Sequence, residues 1–499
     1  MFSILNPSWT HLLTPEISLL CFAIIFLIVA AIKGDVALRK GSLYLTILSL
    51  LFTLFFVFQI FRGIPKEGYV NVIQTSLGNL SLITDPIGLI FKSLFLIGGM
   101  FALLISVKEL DEENAWTGEY FSLILFSILG MFVMASGADL LTLWVGLETM
   151  ALSIYVLAAY LRRKESSVEG ALKYFILGAL SSGMYLYGVS FIYGSTSSIH
   201  LDVIKAQLGA MMMKGEPIPF PLGFGITLLL VSLLFKIAIV PFHFWTPDAY
   251  EGATTPITAF MSVAPKAAGF IMLIRILVWG MIPLHKILIP LLSLTALLTM
   301  VWGNIAAMLQ KNTKRMLGYS SIAHAGYILG GVVSALQAKT NEGIVAATFY
   351  LLAYIFMNIG AFAIVIALKG NGEEGDKIED FAGLYKRKPY LALLMTFFLL
   401  SLGGIPPFAG FLGKFLLFMA MVHSGLYLLA AILAITSVIS IYYYYRIVCS
   451  MYLSEGSEKP PINEGIPLKT AIYITSFFNL FLIFFFPMLM KMFNLAKVF

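Results

Sequence analysis

Apolar stretches long enough to cross a bilayer, about 20 residues each, recur from one end of this 499-residue chain to the other. Hydropathy marks out about fourteen of them, among them 139–161, 222–240, 256–279 and a broken one at 389–422. A segment in hydrocarbon must satisfy its own backbone polar groups, so these stretches are expected to be helices. The chain therefore reads as an all-α integral membrane protein. With 60% hydrophobic and only 12% charged residues, a soluble fold is excluded, because its surface would aggregate. The first stretch has no Lys or Arg before Lys33 and is read as a retained helix rather than a cleaved leader.

Charge placement adds a direction. The loop after the first span, and every second loop after it, is the richer in Lys and Arg. Lys33/Arg39/Lys40, Arg162/Arg163/Lys164, Lys311/Lys314/Arg315 and Lys386/Arg387/Lys388 all fall on that side. It should be cytoplasmic, with both termini outside. The net charge of +6 is spread among loops without interleaved aromatics, which argues against nucleic acid. Cys21 and Cys449 are too few and too far apart for a cluster or structural zinc, and packing is their expected role. The segment 199–214 is either an interfacial helix or a loop.

Four ionisable residues stand where hydropathy would not put a charge: Glu148, Lys236, Lys266 and Lys414. A charge at mid-membrane costs roughly 2.5–3.5 kcal/mol on insertion scales, so four of them point to a path for protons or ions. A carboxylate opposite a lysine makes each the countercharge of the other, and protonating the acid unbalances the amine. Glu148 and Lys236 are the expected pair. Lys266 lies among small residues in APKAAG, which leaves room for water. Arg275, nearer its helix end, reads as an anchor reaching the interface, and Lys173 fits either role.

Two spans are interrupted, by Pro241 and Pro247 in one and by Pro406 and Pro407 in the other. Proline removes a backbone donor and clashes with the preceding turn, and each break has a lysine nearby, Lys236 or Lys414. Matched broken helices in two halves of a chain point to the inverted repeats of transporters. The expected organisation is one polytopic domain: peripheral helices in 1–119, a first five-helix repeat in 120–279, a second in 280–453 and a last helix in 454–499. The repeats comprise helices four to eight and nine to thirteen.

Of six histidines, His243 and His324 are relay candidates. His243 would share a face with Lys236 if that helix continued, and His324 has Ser320 and Ser321 beside it. GFLGK at 410–414 imitates a phosphate loop, but Phe415 replaces its Ser or Thr and the stretch is apolar. No redox-cofactor fingerprint is found, so electrons would travel in other polypeptides.

Two long motifs carry a resemblance: IVPFHFWTPDAYEG at 239–252, and NTKRMLGYSSIAHAGY at 312–327. They are similar to signatures of the antiporter-like membrane subunits of NADH-quinone oxidoreductase, respiratory complex I, and the similarity runs over nearly the whole chain. Asp248, Tyr250, Gly252 and the lysine at 414 favour one branch, and no sequence after Phe499 supplies the long lateral helix of another. The resemblance implies a fourteen-helix subunit of a bacterial inner membrane complex holding one proton channel. It assigns Glu148 and Lys236 to a charge pair, Lys266 to the centre, Lys414 to the second broken helix, and His243 and Lys173 to a hydrated axis. It implies no cofactor in this chain, with NAD, FMN, iron–sulfur clusters and quinone in partner subunits. Its neighbours would be antiporter-like paralogues and lipid. A multisubunit cation/proton antiporter or a membrane-bound hydrogenase would use the same buried charges.

Overall fold

The computed structural model describes residues 11–33, 39–63, 70–74, 80–370, 375–454, 462 and 464–494. The side chains of Lys33, Arg39 and Lys40, and much of the 454–467 connection, lie outside what is described. Two outer helices come first, α1 (Thr14–Lys33) and α2 (Arg39–Gly63). A short antiparallel hairpin follows, β1 (Val70–Gln74) with β2 (Leu80–Thr84). Then come α3 (Pro86–Glu112), α4 (Gly118–Ser136), α5 (Leu140–Ala158) and α6 (Glu165–Thr196). Local sequence sets where they start: Asp85 caps α3 by accepting from Gly88 N at 3.0 Å ahead of Pro86, and Asp139 caps α5 through Thr142 N at 2.8 Å.

The 199–214 segment is a helix, α7 (Leu201–Lys214), which buries Leu201, Ile204 and Leu208. Next, α8 (Phe220–Lys236) stops at Lys236, Ala238 takes a left-handed φ of 60°, and the chain restarts after Pro241 as the short α9 (Trp245–Gly252). α10 (Thr255–Ile274) keeps its course through Pro265 and loosens into a π turn at Arg275–Gly280. Then follow α11 (His285–Met308), α12 (Thr313–Ala338), α13 (Glu342–Leu368) and the single turn α14 (Leu384–Arg387). The second break separates α15 (Pro389–Gly403) from α16 (Ala409–His423), with Gly404 at φ 83° ahead of Pro406 and Pro407. α17 (Tyr427–Leu453), α18 (Gly465–Phe481) and α19 (Phe486–Asn494) close the chain.

Among the described residues, eleven spans are long and apolar enough to cross a membrane. The shorter apolar helices α8, α15 and α16 flank the two breaks. This is an all-α integral membrane protein.

α10 and α13 are enclosed along their whole length, and the other helices pack around them. Small residues let backbones approach closely, the usual way helices pack in lipid. A Cβ at Gly188 of α6 would lie 2.6 Å from the carbonyl of Gly225 in α8, and one at Gly326 of α12 would lie 2.9 Å from Met300 N in α11. The outer faces of α2, α6, α11 and α17 expose rows of Leu, Ile, Phe and Tyr, which water would not tolerate and lipid or a neighbouring subunit would. Cys21 faces outward rather than into the packing expected of it, and Cys449 is half-buried.

Candidate functional site

Because α8 ends at Lys236, the amine projects from a helix terminus into the molecule, and the residue is only 6% exposed. Two tyrosines enclose it. The amine donates to Tyr174 Oη at 3.5 Å and lies 5.5 and 5.6 Å from the ring centres of Tyr155 and Tyr174, a cation–π arrangement. Tyr174 is in turn stacked on Trp245, the first residue after the break, with ring centres 4.2 Å apart. Trp245 donates its indole N–H to the carbonyl of Phe235 at 3.0 Å, satisfying backbone that the unwinding frees.

Glu148 lies on α5, nine residues from its start. Its carboxylate is near enough to act electrostatically on Lys236, Tyr155 and Tyr174. No direct ion pair within 4 Å joins it to Lys236, and its Oε1 is buried with no hydrogen-bond partner among the described residues.

Lys266 is central, in the enclosed α10, and 4% exposed. Its amine donates to the carbonyl oxygen of Ser321 at 2.8 Å and to the Ser321 hydroxyl. Among the described residues no carboxylate pairs with it. A Cβ at Gly269, three residues along α10 from Lys266, would lie 4.0 Å from the stem of Lys236, and α8 and α10 are in contact.

One turn on from Ser321, His324 hydrogen-bonds to Tyr350 Oη at 2.5 Å through Nδ1 and to Tyr444 Oη at 3.2 Å through Nε2, one ring nitrogen donating and the other accepting. Tyr444 also bonds to Ser320. Lys266 contacts Ser321 and Lys414 sits over Tyr327, so along α12 His324 lies between the residues that the two amines touch. Lys414 donates to the carbonyl of Gly403 at 3.1 Å, at the edge of the second break, and sits 5.1 Å from the ring centre of Tyr327. Tyr327 continues the polar chain through Asn304 to Tyr443.

Lys266, His324 and Lys414 thus form one line, with Glu148 and Lys236 at its flank. Two other candidates lie apart. His243 is buried against Phe244 and Trp302. No hydrogen bond ties it to Lys236, because the helix that would have aligned them has ended. Lys173 is half-exposed at the rim, paired with Glu169 at 2.7 Å and Asp248 at 3.1 Å. Arg315 closes that cluster on Asp248 and Glu251, and it holds no buried amine.

Arg275 is corrected. It reaches no interface: it is 1% exposed, bonded to both oxygens of Asp85 at 3.0 and 2.6 Å and to the carbonyl of Ala135 at 2.7 Å. A further buried pair went unread in the sequence, Lys92 with Glu16 at 2.5 Å. Lys92 interrupts an apolar run just as Lys236 does, so the same signal would have found it. The tyrosines around Lys236 and His324 carry no such signal, since tyrosine is ordinary in apolar helices.

A family model described as NADH:quinone oxidoreductase/Mrp antiporter, transmembrane, matches residues 137–440. The chain is 45% identical over 396 residues, 79% of its length and 77% of the relative's, to NADH-quinone oxidoreductase subunit N 1 of Koribacter versatilis. It is 40% identical to subunit N 2 of Solibacter usitatus, covering 95% of this chain and 94% of that one. Among solved structures, a chain of respiratory complex I from Thermus thermophilus with bound aureothin superposes with a TM-score of 0.77 at 31% identity. That match covers 96% of this chain and 99% of the other.

Proposed function

Since this chain belongs to the NADH:quinone oxidoreductase/Mrp antiporter membrane family, and within it to the subunit N group, we propose that it is a proton-translocating membrane-arm subunit of an NADH:quinone oxidoreductase. The observation that carries this reading is the line of buried, uncompensated amines with a histidine between two of them. An isolated cation in the membrane interior is retained for function rather than for stability.

The chemistry follows from the placement of charge. Lys236 is held by tyrosine rings and by the more distant charge of Glu148. A proton arriving on Glu148 removes that countercharge and leaves the ammonium in low dielectric. The proton of Lys236 is then displaced, and the field at Lys266, one packed helix away, changes with it. Ser321, His324 and the hydroxyls of Tyr350 and Tyr444 provide groups that donate and accept between Lys266 and Lys414. Protons enter from the cytoplasm towards Lys266, pass to Lys414 and leave outside, gated by the Glu148–Lys236 pair. The orphaned oxygen of Glu148 supports a wetted site, because buried polar atoms are ordinarily hydrogen-bonded.

The two breaks, each beside a lysine, support inverted repeats over 120–279 and 280–453 and fourteen crossings in all. The protein resides in a bacterial inner membrane with both termini outside. NAD, FMN, iron–sulfur clusters and quinone belong to partner subunits, which carry out the redox chemistry.

The test is Glu148→Gln in the intact complex in proteoliposomes. NADH-driven acidification is expected to fall while the subunit remains assembled; full pumping would refute the gate. Flavin- and cluster-bearing proteins that co-purify with NADH:quinone activity support the reading. Cation exchange by the purified protein without quinone chemistry would instead favour a multisubunit cation/proton antiporter.

A further inference from the structure

Between α5 and α6 runs an open groove of about 470 Å³. Leu152, Tyr155, Val156, Leu172 and Phe175 line it, and Arg162 stands at one end. From Leu152 to Ala158 the groove follows the axis of α5 for about 9 Å at 1.5 Å per residue, and the chain then turns to bring Arg162 to its end. That is over half of one leaflet, whose depth is about 15 Å in a hydrocarbon core of about 30 Å. The groove is therefore apolar along its length and cationic at a single end, the inverse of an anionic amphiphile.

The mouth has spare positive charge. Arg162 and Arg163 are exposed, and neither pairs with a carboxylate among the described residues. Their neighbour Lys164 is taken up by Glu113 at 2.8 Å. α6 begins immediately afterwards with no side-chain cap and with Glu165 in its first turn, so Arg162 and Arg163 together still leave the mouth net cationic. Basic sites between membrane helices are known seats for lipid headgroups.

We infer that this groove is a binding site for one anionic phospholipid, its phosphate on Arg162 and Arg163 and an acyl chain along Leu172 and Tyr155. The chain of the lipid covers the outer side of Tyr155, whose ring also faces the Lys236 amine, and so seals that amine from the surrounding bilayer. This requires only that the protein sits in a membrane, not that it moves protons.

The experiment uses the intact complex in mild detergent. Native mass spectrometry and phospholipid extraction count the phosphatidylglycerol retained after exchange into phosphatidylcholine nanodiscs. The parent is expected to keep one phosphatidylglycerol that is lost in Arg162→Gln/Arg163→Gln. Leu172→Trp, which fills the apolar part without changing charge, is expected to lose the same molecule. Equal retention in all three would overturn the site. So would cross-linking of Leu172→Cys to a neighbouring subunit with no phosphatidylglycerol held, which would mark the groove as a protein interface.

Discussion

Each buried amine solves the cost of its burial differently. Lys236 uses aromatic faces, Lys266 a serine, and Lys414 the freed carbonyl of a broken helix. None is neutralised by a contacting carboxylate, whereas Lys92 and Arg275 are. On the function proposed above, that contrast would separate the cations that exchange protons from those that hold the fold. His324 is the residue on which the connection between Lys266 and Lys414 turns. Replacing it by Phe keeps the bulk and removes both ring nitrogens. The rate of NADH-driven acidification is expected to fall about tenfold, a barrier increase of about 1.4 kcal/mol, with assembly unchanged. An unaltered rate would make the histidine a packing residue. The charged positions were legible because a charge in an apolar run stands out. The cages around them were not, since Tyr174 lies 62 residues from Lys236 in the chain and Asp85 lies 190 from Arg275, contacts that only tertiary structure creates.

At the level of elements, proline made both broken helices readable, and the observed left-handed residues at Ala238 and Gly404 complete the unwinding. The hairpin before α3 was hidden in a polar connection. So was the clamp beside it: Asp85 caps α3, and Arg275 ties that cap to the end of α4 and to the π turn that ends α10. Asp85→Ala would leave a buried guanidinium uncompensated, a loss of about 3–5 kcal/mol. Thermal unfolding of the detergent-solubilised complex is expected to show a large drop for that variant. Asp85→Leu combined with Arg275→Met is expected to recover most of it, since an apolar pair of similar volume replaces a buried ion pair at little net cost. A single variant as stable as the parent would show that the clamp holds nothing.

Across the whole molecule, two enclosed helices, α10 and α13, form an axis around which the rest is arranged, and α10 carries Lys266 at its middle. Hydropathy gave the spans because lipid imposes one solution on backbone polar groups. It could not say which helices would be inner, since an apolar helix facing lipid and one facing protein have similar compositions. The central claim is that a charge moved at Lys266 is a charge moved across the membrane. It is tested most directly by the proton-to-electron ratio of the reconstituted complex carrying Lys266→Ala, measured against the parent with NADH and quinone. The ratio is expected to fall in the variant. A fully assembled complex with the parent's ratio would contradict a proton channel in this subunit.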